Sequence, residues 1–121
     1  MSEQRFATTP SPPYYAVIFA SQRTDHDSSG YADMADLLDK LAPEQPGYLG
    51  VEYARDASGF GITVSYWSDL QAIANWKAQA DHLQAQALGK SRWYEGFELR
   101  ISKVERAYNF RAEPSRAMDE A

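Results

Sequence analysis

An α+β fold in the order strand, helix, strand, strand, helix, strand is what this sequence predicts, and three observations predict it. Four runs rich in aromatic and β-branched residues alternate with two stretches whose apolar residues recur every three or four positions. The two middle runs are separated only by Asp56-Ala57-Ser58-Gly59, residue types that reverse a chain tightly. A length of 121 residues suits one domain with a core of its own and is too short for two.

The elements follow in order. Residues 1–13 end in Thr9-Pro10-Ser11-Pro12-Pro13, which favours an extended, solvated chain, so a flexible arm is expected there. In Tyr14 to Arg23, Val17 and Phe19 alternate with Ala16, Ile18 and Ala20, so both faces are apolar and a central strand is expected. From Ser29 to Ala42 the residues Tyr31, Met34, Ala35, Leu38, Leu41 and Ala42 share one helical face. Pro43 and Pro46-Gly47 end that helix.

Tyr48 to Asp56 and Phe60 to Trp67 make a hairpin, with Phe60, Ile62, Val64 and Tyr66 on one face of its second strand. Ser68 and Gln71 have capping-box spacing, so a helix is expected to start on Ser68. Leu70, Ile73, Trp76, Ala80, Leu83 and Ala87 form its stripe, and Gly89 its stop. In Glu95 to Tyr108, Phe97, Leu99 and Ile101 share a face before the pattern shifts to Val104, which predicts a bulge near Ser102. Residues 109–121 carry no period and are expected to be a loose tail, leaving 14–108 as the folded domain.

This order is the ferredoxin-like split-βαβ arrangement, a four-stranded antiparallel sheet with both helices on one face. The opposite face is then bare, yet apolar in the first strand and the hairpin, so two such sheets are expected to pack face to face in a homodimer.

Composition narrows the function. Hydrophobic residues are 44% and charged residues 24%, with no long apolar run, so no membrane span is expected. A net charge of −5 provides no basic field for phosphates, which argues against nucleic acid as a partner. The absence of cysteine excludes disulfides, thiol nucleophiles and thiolate metal sites. The opening residues lack the charged-then-apolar pattern of a signal peptide, and a cytoplasmic location is expected.

Three stretches, Pro46-Gly47-Tyr48-Leu49-Gly50-Val51-Glu52, Ile62-Thr63-Val64-Ser65-Tyr66-Trp67-Ser68 and Ala72-Ile73-Ala74-Asn75-Trp76-Lys77, resemble the antibiotic biosynthesis monooxygenases. His82 and Trp93-Tyr94-Glu95 fit one branch of that family, and the resemblance spans roughly residues 14 to 108. It implies a dimeric α/β barrel with an apolar cavity between sheet and helices in each subunit. It also implies one of two chemistries: oxygenation of aromatic polyketides without metal or organic cofactor, or haem binding and ring opening.

In the haem-degrading members an asparagine near the end of the first strand, a tryptophan early in the second helix and a histidine ten residues later form the site. Trp76 matches that tryptophan, but the first-strand position falls on or beside Gln22 and the position ten after Trp76 is Gln86. His82, six residues past Trp76, lies about 240° around an ideal helix from it, so haem is disfavoured and no cofactor is expected.

Cofactor-free oxygenation asks the protein to remove a proton from an electron-rich substrate, stabilise the anion and exclude water. The expected catalytic residues are His82, Trp76 and Tyr66, and the expected substrate contacts are Gln22, Arg23, Tyr53 and Asn75. Each has a plainer reading: Trp76 as core, His82 as surface, Arg23 as a sheet-edge partner of Asp25 or Asp56. His26 lies between Asp25 and Asp27, too small a set for a metal site, and none is expected. The reading is therefore a cofactor-independent monooxygenase taking a small aromatic or polyphenolic compound and dioxygen. The alternatives are a non-catalytic dimeric domain that binds a small ligand and, third, a haem-binding relative.

Overall fold

The computed structural model describes residues 5–87 and 90–112, without the side chains of 90 and 91. The expected stop at Gly89 and the tail beyond residue 112 lie outside the described residues. The elements are β1 (Tyr14–Arg23), α1 (Ser28–Leu41), a 3-10 turn (Ala42–Glu44), β2 (Tyr48–Arg55), β3 (Phe60–Trp67), α2 (Leu70–Gln86), the single turn α3 (Lys90–Trp93) and β4 (Tyr94–Val104). The sheet order is β2-β3-β1-β4 and every pairing is antiparallel, so β1 is central, as its two apolar faces demand.

Register divides the side chains between the two faces. Tyr15, Val17, Phe19 and Ser21 pair with Trp67, Ser65, Thr63 and Gly61 of β3, and Val17, Phe19 and Ser21 pair with Ile101, Leu99 and Phe97 of β4. This is the helix side. Trp67 is fully buried there with Ala72 and Ile73 of α2, and Tyr15, Val17, Tyr48 and Trp76 pack around them. Tyr31 of α1 reaches the same face through Tyr94, with ring centroids 6.0 Å apart.

Both helices begin on aspartates. Asp69 caps α2 by accepting the Ala72 N–H at 2.8 Å, while the Ser68 hydroxyl only supports that carboxylate. The expected cap on Ser68 is thus off by one residue, because Asp69 is a stronger acceptor than a hydroxyl for the same orphan donors. Gln71 turns instead to Asn75. Leu70, placed by periodicity in the buried stripe, is 54% exposed, and Ala72 takes its place beneath the helix. Gly47 sits at φ +86°, where a Cβ would come within 2.6 Å of the Ala72 Cβ, so glycine lets β2 start directly under α2.

The expected bulge near Ser102 is absent, since β1 and β4 stay in register from Tyr14–Val104 to Gln22–Gly96. The one shift falls between Gln22 and Arg23, opposite Glu95. Val104 departs from the pattern of Phe97, Leu99 and Ile101 because it lies on the other sheet face, opposite Tyr14, where an apolar residue is also wanted.

The face without helices carries Ile18 and Ala20 of β1 with Val64, Ile62 and Phe60 of β3. Phe60 and Ile62 remain 45% and 43% exposed. The other end of this face is occupied by residues ahead of β1: the Ala7 N–H donates to Glu52 at 2.9 Å and the Thr9 hydroxyl to the Tyr14 oxygen at 3.0 Å. Among the described residues no helix is long and apolar enough to cross a membrane.

Trp67→Ala is expected to cost about 3–5 kcal/mol in urea unfolding, because it empties a fully buried site that joins α2 to the sheet. Tyr53→Ala, at a position 74% exposed, should change stability by less than about 0.5 kcal/mol.

Candidate functional site

The far end of the helix-side face, where β1, β2 and β3 finish or begin, gathers polar groups around two tyrosines. Asp27 organises it. Its backbone is left-handed at φ 52°, which aspartate tolerates because its short side chain bonds locally. One carboxylate oxygen accepts the Gly30 N–H at 3.3 Å and the other the Trp93 indole N–H at 3.1 Å. A Cβ on Gly30 would lie 2.2 Å from that carboxylate, so only glycine leaves room for it. The capped first turn then presents Tyr31, whose N–H bonds the Asp27 carbonyl at 3.0 Å.

Tyr31 meets Trp93 and Tyr94 edge-on, both at 6.0 Å. Tyr94 continues into Phe19 at 5.6 Å and Phe97 at 6.0 Å, giving a connected aromatic wall from α1 to β4. Two guanidiniums flank it. Arg23 lies 3.8 Å over the Tyr31 ring and donates to the carbonyls of Trp93 and Thr24. Arg55, 5.9 Å from the same ring, donates to the Tyr31 hydroxyl at 3.4 Å and to the Ser21 hydroxyl at 3.0 Å. Ser21 is 1% exposed, and its hydroxyl is satisfied inside the fold by Arg55.

Burial, together with the adjacent Tyr31 hydroxyl, raises the Tyr94 pKa well above the ordinary tyrosine value, and Arg55 and Arg23 oppose that rise. Tyr94 therefore stays a neutral hydrogen-bonding group at any physiological pH. From this wall the helix side of β4 runs on as Phe97, Leu99 and Ile101, which are 42%, 37% and 47% exposed. At the opposite end Trp76 stacks on Trp67 at 6.1 Å and 26°. The result is an apolar strip open to solvent between the Trp76 end and the arginine–tyrosine end.

The residues expected from sequence fall in different places. Trp76 borders the strip and is half-buried, and Arg23 stands in the polar cluster, bonded to neither Asp25 nor Asp56. Tyr66 is on the other sheet face, donating to Glu52 at 2.7 Å, so the sheet separates it from Trp76. His82 is exposed on α2, as is Asn75, which accepts from Gln71. Gln22 also lies on the face without helices and ties the hairpin turn through the Ser58 carbonyl at 2.7 Å. Tyr53 is on the helix side of β2 with most of its ring in solvent. His26 and Asp25 are 3.9 Å apart and exposed, while Asp27 turns away to Trp93.

Sequence reasoning missed Tyr31, Arg55, Tyr94 and Ser21. Periodicity places Tyr31 as an ordinary inward helix residue, and Arg55 lies 32 positions from Arg23, a separation that no local pattern connects. The available signals were Asp27 three residues before Gly30, and the Trp93-Tyr94 pair.

The architecture and this site can be set beside known proteins. The family model for antibiotic biosynthesis monooxygenase matches residues 14–88, well over half of the chain. The chain belongs to this family. It is 49% identical over 98 residues to the uncharacterized protein YqjZ of Bacillus subtilis, covering 81% of this chain and 85% of that one. It is 25% identical over 92 residues to the jasmonate monooxygenase ABM of Pyricularia oryzae, covering 74% of this chain and 43% of that one. The crystal structure of SnoaB, a cofactor-independent oxygenase from Streptomyces nogalater, superposes with a TM-score of 0.63 at 11% identity, covering 79% of this chain and 97% of that one. At that identity the likeness is one of fold. The matched segment of the family model ends before Trp93 and Tyr94, so these two members of the polar cluster come from chain beyond it.

Two outcomes follow from the cluster. Ser21→Ala, which strips Arg55 of a buried acceptor, should cost about 1–3 kcal/mol by urea unfolding. Because the folded-state pKa of Tyr94 is raised, its contribution is complete below the unfolded tyrosine value of about 10 and is lost as pH rises beyond it. Unfolding midpoints should fall between about pH 10 and 12, and Tyr94→Phe should make that fall shallower.

Proposed function

We propose that this chain is a cofactor-independent monooxygenase acting on a small aromatic or polyphenolic compound, as a homodimer in the cytoplasm. The observation that carries the proposal is the open apolar strip on the helix side of the sheet, with Phe97, Leu99 and Ile101 as its floor and Trp76 and the Phe19–Tyr94 wall at its ends. Planar aromatic rings pack well on such a surface, and a few polar groups at one end are enough to orient them. SnoaB, which shares the fold, and the jasmonate monooxygenase relative are both oxygenases, which supports the reaction class.

The chemistry asks little of the protein. A substrate anion transfers an electron to dioxygen, and oxidation of a ring methylene to a carbonyl balances without an external reductant: one oxygen atom enters the ring and the other leaves as water with the two methylene hydrogens. The site lowers the barrier by holding the ring and favouring its deprotonated form. Trp76 serves as a wall, and His82 is the histidine of α2 offered as proton acceptor.

The dimer reading rests on the second face. Phe60 and Ile62 are large, apolar and solvent-exposed beside Ile18 and Val64, on a sheet face that none of the described helices covers. Two copies packed there form a closed two-fold assembly.

Oxygen-electrode assays with an electron-rich phenol or anthrone should show uptake, with Trp76→Phe and His82→Ala each slowing it by roughly tenfold or more. Uptake unchanged in both variants removes these residues from the mechanism, and no uptake with any such compound leaves a ligand-binding domain. Light scattering should give twice the subunit mass, and Ile62→Glu should give one subunit mass with the far-UV spectrum retained. A wild-type monomer at micromolar concentration overturns the dimer.

A further inference from the structure

Arg23 and Arg55 hold more positive charge than the fold itself uses. The Nη1 of Arg23 is committed to the carbonyls of Thr24 and Trp93, but its Nε and Nη2 meet no acceptor among the described residues. Arg55 commits both terminal nitrogens to Ser21, Gly59 and Tyr31 and leaves its Nε without an acceptor among those residues. No buried side-chain nitrogen in the described structure lacks a partner, so these spare donors open to solvent.

Neither arginine has a carboxylate within ion-pair distance among the described residues, although the chain as a whole is acidic. Two guanidiniums at 3.8 and 5.9 Å from one tyrosine ring therefore repel each other, and among the described residues carbonyl oxygens, hydroxyls and the ring face offset them. An anion at that point would neutralise the pair and take charge-assisted bonds from the spare donors.

The position says what the anion is attached to. Arg23 pairs in register with Tyr94, and the next helix-side pair of the same two strands is Ser21 with Phe97, so the donors stand at the head of the aromatic strip. We propose that Arg23 and Arg55 form an anion subsite that takes the carboxylate of an aromatic acid, whose ring lies along Phe19, Tyr94 and Phe97. This rests on reading the strip as the substrate site and narrows the substrate from any small aromatic to one that carries an acid group. Arginines serving only to pin the hairpin turn and the α3 turn would have no preference for an acid over its neutral isostere.

Calorimetric titration of the full-length protein with 2-naphthoate and with 2-naphthamide separates these roles. Wild type is expected to bind the acid roughly tenfold or more tightly than the amide. That preference should shrink towards unity in Arg23→Gln and persist in part in Arg23→Lys, with circular dichroism confirming a native fold in each. Arg23 is the informative position because the buried Ser21 depends on Arg55 and not on it. Equal affinities in wild type, or a preference that survives intact in a folded Arg23→Gln, overturn the subsite. Acid-selective binding without oxygen uptake keeps the subsite and removes the oxygenase reading. Uptake at equal KM from a phenol and from its carboxylated analogue does the reverse.

Discussion

The constraint on which the rest of this structure depends is that β1 has a neighbour on each edge and an apolar surface on each face. Its backbone donors and acceptors are divided between β3 and β4, so a single strand sets the register of both halves of the sheet. Its odd-numbered residues build the helix side, from Tyr15 and Val17 under α2 to Phe19, Ser21 and Arg23 beside Tyr31. Its even-numbered residues build the other face, from Tyr14 under the leading segment to Ile18 and Ala20 beside Val64 and Ile62. A one-residue slip would exchange these sets and dismantle both surfaces at once.

The two ends of the helix side are stabilised by different physics. Around Trp67 the attraction is burial: an indole with no exposure, closed over by Ala72 and Ile73 and stacked on Trp76. Around Tyr31 it is hydrogen bonding and ring electrostatics, with Asp27 joining the start of α1 to Trp93 and two guanidiniums against the tyrosine ring. A polar end of this kind costs desolvation that an apolar one avoids, and fully satisfied polar networks hold their members in single positions. Between the two ends α1 and α2 leave part of β4 uncovered, which is why the strip exists.

Membership in the antibiotic biosynthesis monooxygenase family accounts for the frame, which SnoaB shares. It does not fix what the side chains lining the strip do, because a fold is a support on which sites of several kinds are built. In this chain those side chains are an apolar floor that carries no charge and an end that carries two. The charged end uses Trp93 and Tyr94, which follow α2, so the approach to β4 contributes to the site as well as to the sheet.

Element order, strand pairing within the hairpin and the central place of β1 were all legible in the sequence, because they follow from periodicity and turn residues that act over a few positions. The face on which Phe97, Leu99 and Ile101 lie was legible for the same reason. What local pattern misjudged were ties decided by competition or by distance. Asp69 displaced Ser68 as the cap because a carboxylate outbids a hydroxyl for the same donors, and the expected bulge at Ser102 vanished because Val104 serves the opposite face. Of the expected site residues, Trp76 and Arg23 lie on the helix side at opposite ends of the strip, whereas Tyr66 sits across the sheet, since strand alternation assigns faces only after register decides which face the helices cover. The grouping of Arg23, Arg55, Tyr31 and Tyr94 was decided by tertiary structure alone: four strand and helix ends converge there, and convergence of chain ends leaves no trace in sequence spacing.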